Sequence, residues 1–213
     1  IVIRKDSALM RQMIEDIPIP PRPNNLIDFL NAVNQQDVSL QEVSKIIARD
    51  IAISAAILKT INSPYFEISQ EIISIKQAIT LLGLDNVSNL LFCFSLKIAF
   101  EKQDDPFVVG FWRQTNAVAL LSAALAKRFT TKPSDEAFTF SMLCNVAVPA
   151  IAQVHEGYGE FYLDHCFGER GLIIDKEDAT YFVNHTLIGE FITQSWNLPT
   201  FLVKGIAQHH NHE

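Results

Sequence analysis

Residues 50–83 read DIAISAAILKTINSPYFEISQEIISIKQAITLLG and carry the start and end signals of two helices. Asp50 is suited to cap the first helix, and Asn62-Ser63-Pro64 ends it because proline has no backbone N–H. The second helix begins at the capping box Ser74-Ile75-Lys76-Gln77 and stops at Gly83. The stretch therefore predicts two helices joined by a short polar crossing.

Helical signals also dominate the chain before and after this stretch. The proline-rich residues 16–23 predict an extended entry segment. Ser39-Leu40-Gln41-Glu42 is a further capping box. Asp85 is a predicted N-cap for a helix that runs to Phe100 and is apolar on nearly every side, which is typical of a helix at the centre of a core.

A boundary is predicted at Asp104-Asp105-Pro106, where Asp105 would cap a helix with Pro106 at its first position. Helices should follow at roughly 106–129, 135–155, 157–167, 176–195 and 199–210. With no strand-like alternation, the predicted fold class is all-α. It comprises an N-terminal helical subdomain, 1–104, and a second helical subdomain, 105–213, whose C-terminal end we expect to be truncated.

Composition excludes several classes of protein. The formal net charge is −7 and the 17 Lys and Arg residues are scattered, so we expect no nucleic-acid partner. The apolar run at 90–96 is too short to span a membrane. Cys93, Cys144 and Cys166 have no C-x-x-C spacing, which favours buried thiols in a reducing, cytoplasmic environment.

Several separate motifs agree in residue type and spacing: Ile17-Pro18, Pro20-Pro21, 39–50, Asn62-Ser63, 74–83, Phe111-Trp112, 184–189, Trp196-Asn197-Leu198-Pro199 and 206–210. Together these motifs resemble the HDOD family, a helical module of bacterial signalling proteins. The resemblance implies an N-terminal helical bundle packed on a degenerate HD-type bundle. It also implies a signalling context, with a protein partner or an attached signalling domain.

The resemblance further indicates where the metal ligands of HD phosphohydrolases would fall. The first histidine position is occupied by Gln114, and the His-Asp pair by Cys144-Asn145; the last Asp would lie beyond Glu213. Amide oxygens are neutral and weak ligands for transition metals, and a lone buried cysteine is usually inert. We therefore expect no catalytic residue and no two-metal site, although enzymatic activity stays an open question.

The remaining candidates have a functional and a structural interpretation. His185, His209 and His210 match histidines of many relatives and could form a residual metal or anion site, but a core hydrogen bond and a helix-end position are favoured. We expect no cofactor, with adventitious Zn or Ni as the exception. Asn62-Ser63 could contact a partner or end a helix. The charged run 175–178 is interpreted as a helix cap.

Three hypotheses for function follow. The leading one is a non-catalytic regulatory module that acts in signal transduction through protein–protein contacts. The first alternative is a metal-dependent phosphohydrolase of nucleotides or cyclic dinucleotides with an altered site. The second is a small-molecule sensor, whose vacated HD cavity would present Gln114, Cys144, Asn145 and His185 to a ligand.

Overall fold

The computed structural model describes residues 17–101, 104–131, 134–167 and 172–211. Its α-helices are α1 (Asn24–Val33), α2 (Leu40–Ala48), α3 (Ile51–Ile61), α4 (Ile75–Leu82), α5 (Leu84–Phe100), α6 (Pro106–Phe129), α7 (Ser134–Leu143), α8 (Ala147–Ala152), α9 (Tyr158–His165), α10 (Leu172–Tyr181), α11 (His185–Ser195) and α12 (Thr200–Gln208). A 3-10 turn, Pro64–Phe66, follows α3. No strand occurs within these described ranges, so the predicted all-α fold class is confirmed.

The helices group into two compact units. The N-terminal unit consists of Pro21–Ala99 and Trp112–Met142. The C-terminal unit contains, among the described residues, 17–20, Phe100–Phe111 and 143–211. Each unit is assembled from separate stretches of chain, whereas the predicted subdomains were two continuous segments. The division into 1–104 and 105–213 therefore stays a prediction.

The caps predicted in residues 50–83 are present in the N-terminal unit. The Asp50 carboxylate accepts a hydrogen bond from the backbone N–H of Ile53 at 3.0 Å, which satisfies a free donor at the start of α3. The Ser74 hydroxyl accepts from the N–H of Gln77 at 3.2 Å at the start of α4. Gly83 ends α4 with φ 88°, a left-handed conformation that glycine adopts without strain.

The crossing between α3 and α4 is closed by the side chain of Asn62. Its Nδ2 donates to the carbonyl of Ile72 at 2.7 Å, and its Oδ1 accepts from the N–H of Ile72 at 2.8 Å. These two bonds give Asn62 a structural role that reaches across the loop. The hydroxyl of Ser63 is buried with no hydrogen-bond partner among the described residues. A partner contact by Asn62-Ser63 stays a prediction.

Two of the helix predictions were wrong, one in its N-cap and the other in its continuity. Helix α5 begins at Leu84, so Asp85 lies in its first turn and is not its cap. The helix predicted at 135–155 is two helices, α7 and α8, separated by a turn at 144–146. Pro149 explains the break, because its ring would clash with the carbonyl four residues earlier, that of Asn145.

The helix predicted at 176–195 is also two helices, α10 and α11. The chain leaves α10 through Phe182, which is left-handed with φ 60°. Asn184 then caps α11, accepting from the N–H of Leu187 at 2.9 Å. Helix α10 starts at Leu172, so the charged run 175–178 lies inside a helix and the prediction that it forms a cap was wrong.

Two predictions about environment concern membranes and thiols. Among the described helices, none combines the length and the apolar character that a membrane crossing needs. All three cysteines are free thiols: Cys93 is buried, and Cys144 and Cys166 are half-buried.

Helices α11 and α12 of the C-terminal unit approach closely at Gly189. A methyl group on this residue would lie 2.8 Å from Cγ2 of Ile206. Both residues are buried, so Ile206 has little room to move. Gly189 therefore sets the distance at which α12, the helix that leads into His209, packs on α11.

Gly189→Ala should lower the free energy of unfolding by about 1 kcal/mol, because overpacking costs ~1–3 kcal/mol and exceeds the ~1 kcal/mol gain in helix propensity. The matched control is Gly110→Ala on α6, where a methyl group would meet no atom within 4 Å. That variant should be more stable by about 0.5–1 kcal/mol. Urea denaturation measures both, and equal effects of the two substitutions would contradict the close approach.

Candidate functional site

Three segments of the C-terminal unit bring imidazole and amide groups together. Asn145 lies in the turn between α7 and α8. His185 is the first residue of α11, where the cap at Asn184 fixes the chain, and its ring is 1% exposed. His209 and His210 immediately follow α12 and are half-buried.

The Nε2 atom of His185 is the centre of this cluster. It lies 3.3 Å from Nε2 of His209 and 3.1 Å from Nε2 of His210. Ligand atoms of the three rings all lie within 4.8 Å of one another. Oδ1 of Asn145 lies 3.1 Å from Nε2 of His209 and adds an oxygen to the edge of the cluster.

A buried carboxylate binds the side of the His185 ring that faces away from the cluster. Glu177 on α10 is fully buried. Its Oε1 accepts a hydrogen bond from the hydroxyl of Tyr158 at 2.5 Å. Its Oε2 accepts two hydrogen bonds from His185, one from the ring Nδ1 at 2.7 Å and one from the backbone N–H at 3.1 Å. These three donors compensate for the loss of water around the charge. Burial and the neighbouring carboxylate raise the pKa of Tyr158 well above its usual value, so its hydroxyl stays protonated and donates.

Hydrogen bonds at Nδ1 orient two of the three rings. Nδ1 of His185 faces a carboxylate, and Nδ1 of His209 faces the carbonyl of Ile206 at 2.8 Å. Both partners only accept, so each Nδ1 carries a proton. In the neutral rings Nε2 therefore presents a lone pair, and the lone pairs of His185 and His209 point into the same space.

Burial also decides the charge of two nearby groups. It lowers the pKa of His209 to about 4, helped by the adjacent His185 and His210 and opposed by the hydrogen bond to Ile206. The His209 ring is therefore neutral at pH 7. Burial raises the pKa of Cys144 to about 11, so this thiol is protonated at pH 7.

The structure brings some of the predicted site residues together and places others elsewhere. His185, His209 and His210 converge, and Asn145 joins them through His209. Gln114 lies in the N-terminal unit, exposed on α6. Among the described His, Cys, Asp and Glu side chains, the group whose ligand atoms converge consists of the three histidines, so it does not include Cys144.

A sensor would need a cavity, and two surface depressions of the described residues lie in the N-terminal unit. One of about 450 Å³ in the N-terminal unit is lined by Asn24, Asn25, Asp28, Arg49, Asp50 and Ile51. A second, of about 250 Å³, borders α4 in the same unit. Neither contains a residue predicted for the vacated HD cavity.

Sequence reasoning missed Glu177 and Tyr158. The acidic run around Glu177 resembled a solvated helix start, because α10 was predicted to begin at residue 176. One signal was available: Glu177 follows Ile173 by four residues, which places both on one face if the helix starts earlier. Ile173 is indeed buried beside the buried Glu177. For Tyr158 we find no comparable signal.

Comparisons with known proteins agree with this architecture. A family model described as the HDOD domain matches residues 19–212. An uncharacterized protein of Treponema pallidum (strain Nichols) is 26% identical over 211 residues, which cover 97% of this chain and 40% of that protein. The chain thus spans well under half the length of that relative.

Two solved structures are also similar. A candidate phosphohydrolase from Shewanella amazonensis SB2B has a TM-score of 0.70 and 26% identity, over 98% of this chain and 73% of that one. An HDOD domain protein of unknown function from Geobacter sulfurreducens has a TM-score of 0.69 and 21% identity, over 96% of this chain and 70% of that one. The second likeness shows the fold alone.

The hydrogen bonds of Glu177 can be tested by removing the hydroxyl donor or the carboxylate acceptor. Tyr158→Phe leaves Oε1 of a buried carboxylate without its donor, so the free energy of unfolding should fall by about 1–3 kcal/mol. Glu177→Ala should cost about 3–5 kcal/mol, because it leaves three buried donors without their acceptor. Tyr181→Phe, a half-buried control on the same helix as Glu177, should change stability by less than about 0.5 kcal/mol. Chemical denaturation decides, and equal losses in both tyrosine variants would contradict the assigned role.

Proposed function

Because the chain belongs to the HDOD domain family, we propose that it is a regulatory module of bacterial signal transduction that binds other proteins and catalyses no hydrolysis. The proposal rests on one observation about charge. A hydrolytic metal site needs several anionic or imidazole ligands and an open position for water, and a two-metal site also needs a bridging carboxylate ligand. Here the neutral amide of Asn145 lies where such a ligand would be needed.

The nearby carboxylate does not replace that ligand. Both oxygens of Glu177 accept hydrogen bonds, from Tyr158 on one side and from His185 on the other. Among the described residues, no Asp or Glu joins the three imidazoles within 4.8 Å. This arrangement supports a site that lacks the bridging carboxylate of a two-metal hydrolase.

An exposed apolar stripe supports the binding role. Val118, Leu121, Leu125 and Phe129 recur at helical spacing on α6, within the N-terminal unit. Their exposure runs from 47% for Leu125 to 71% for Phe129. A row of large apolar side chains on one helix face is typical of a surface that docks a partner.

Three free cysteine thiols support a reducing compartment, and we infer a cytoplasmic location.

A metal-dependent phosphohydrolase is the second candidate. The convergence of His185, His209 and His210 favours it, because imidazoles are common ligands of catalytic metals. The name of the Shewanella amazonensis protein, to which this chain is 26% identical, points the same way. The donor set opposes the two-metal form of this activity, because no carboxylate joins the three imidazoles among the described residues.

Hydrolysis assays separate the two candidates. The purified protein, supplied in turn with Mn²⁺, Fe²⁺, Zn²⁺ and Mg²⁺, should hydrolyse no aryl phosphate, nucleotide or cyclic dinucleotide above the rate of buffer. His185→Ala should give the same background. Turnover that falls at least tenfold in His185→Ala, but not in the control His165→Ala, would establish the hydrolase and overturn the proposal.

Affinity capture tests the binding role. From cells that make the natural protein, the wild type should retain a specific partner that the double variant Leu125→Glu and Phe129→Ser loses. Circular dichroism must show that the variant keeps its helix content, since both residues are exposed and should tolerate the change. A partner retained equally by both proteins would exclude this stripe as the binding surface.

A further inference from the structure

The exposed face of α6 has the repeat of a helix that packs along another helix. Its central row consists of Gln114, Val118, Leu121, Leu125 and Arg128, all of them exposed. These residues follow one another at intervals of four, three, four and three, which is the a and d pattern of a coiled-coil seam. The row spans about 21 Å, since an α-helix rises about 1.5 Å per residue. Its length and period therefore fit a second helix that lies alongside α6.

Large and small side chains are placed symmetrically about Leu121. Ala117 precedes it by four residues and Leu125 follows it by four. Val118 precedes it by three residues and Ala124 follows it by three. If two copies of α6 pack antiparallel about a two-fold axis at Leu121, residues equally far from the axis lie level with each other. Each of these two layers then joins a large side chain of one copy with an alanine of the other, so the helices can interdigitate and approach closely.

The polar residues at the two ends of the row also match in the same register. Gln114 and Arg128 are both seven residues from Leu121, so the amide oxygen of one copy can accept a hydrogen bond from the guanidinium of the other. Arg113 and Phe129 are both eight residues from Leu121, which brings a guanidinium to an aromatic ring. This ring already attracts a guanidinium within one chain, because that of Arg128 lies 5.9 Å from its centroid. One register thus satisfies the apolar and the polar parts of the face.

The charges of α6 narrow the choice of occupant. The helix contains Arg113, Lys127 and Arg128 but no Asp or Glu, so a basic partner would find no counter-charge on it. Lys127 forms an ion pair with Glu67 at 2.8 Å, which leaves the two arginines at the ends of the row. An acidic helix or an anionic membrane would use these arginines, but neither explains why each large side chain has an alanine at the symmetric position. A second copy of the chain uses both features.

We propose that two copies of this chain form a symmetric dimer in which their α6 helices pack antiparallel about a two-fold axis at Leu121. The contact is isologous, because the same surface of each copy faces the other. The inference rests on the proposed function, since it names the occupant of the exposed apolar stripe on α6. One helix from each copy buries less than about 1,200 Å² in total, which is typical of weak and reversible contacts. We therefore expect a dissociation constant on the order of 10–100 µM.

Sedimentation equilibrium of the purified protein between about 1 and about 500 µM tests the dimer. The mean mass should rise with concentration from that of one chain toward that of two. Leu121→Glu should weaken association by roughly a hundredfold, because two like charges would meet at the axis within an apolar seam. The matched control is Leu163→Glu on α9, since Leu163 is 53% exposed and Leu121 is 54% exposed. This control should associate as the wild type does.

Two further measurements fix the axis and the direction of the helices. An equimolar mixture of Leu121→Glu and Leu121→Lys should associate although each variant alone is impaired, because opposite charges then meet at the axis. Gln114→Glu should strengthen the dimer by roughly fivefold, since each new carboxylate lies level with Arg128 of the other copy and an exposed ion pair contributes up to about 1 kcal/mol. A parallel pair would bring the two new carboxylates together, so weaker association of Gln114→Glu would overturn the antiparallel arrangement.

The outcomes separate this inference from the proposed function. A wild type that sediments as one chain up to about 500 µM, or a Leu121→Glu variant that associates equally well, would overturn the dimer and leave the regulatory role to the partner found by affinity capture. Vesicles that contain phosphatidylserine are a second probe. Wild-type binding to them without self-association would assign the stripe to a membrane surface and also overturn the dimer. Self-association without capture of any other protein would support the dimer and count against the proposed regulatory binding.

Discussion

The carboxylate of Glu177 organises the C-terminal unit. A charge with no exposure to water is costly unless donors surround it, and here the donors come from two other helices. Tyr158 reaches it from α9, and His185 offers both its backbone N–H and its ring from the start of α11. The positive end of α11 adds a favourable field. One side chain thus ties three helices together and fixes the ring of His185.

That tie has a chemical consequence, because it settles which way the imidazole faces. With Nδ1 bound to Glu177, Nε2 of His185 can point only toward His209 and His210. The anion lies behind the ligand instead of beside the space where a metal would sit. It can therefore strengthen an imidazole ligand, but it cannot bridge two ions or orient an attacking water, which hydrolysis would require of it.

Local signals predicted the helices well where each signal acts within one turn. Asp50 and Ser74 cap helices as expected, and Gly83 ends one. The breaks at 144–146 and 182–184 were missed because apolar periodicity continues through both. Glu177 could not be assigned by composition, since its burial depends on donors from distant parts of the chain. The sequence pointed to His185, His209 and His210 through the family resemblance, but it did not predict that their rings would converge.

The proposed absence of hydrolysis rests on where negative charge lies in the C-terminal unit. Among the described residues, no carboxylate joins the three converging imidazoles and the amide of Asn145. The carboxylate of Glu177 binds Nδ1 of His185, on the side of the ring away from Nε2, so its hydrogen bonds hold α9, α10 and α11 together. A two-metal hydrolase needs a carboxylate that reaches the ions, and the neutral side chain of Asn145 does not supply one.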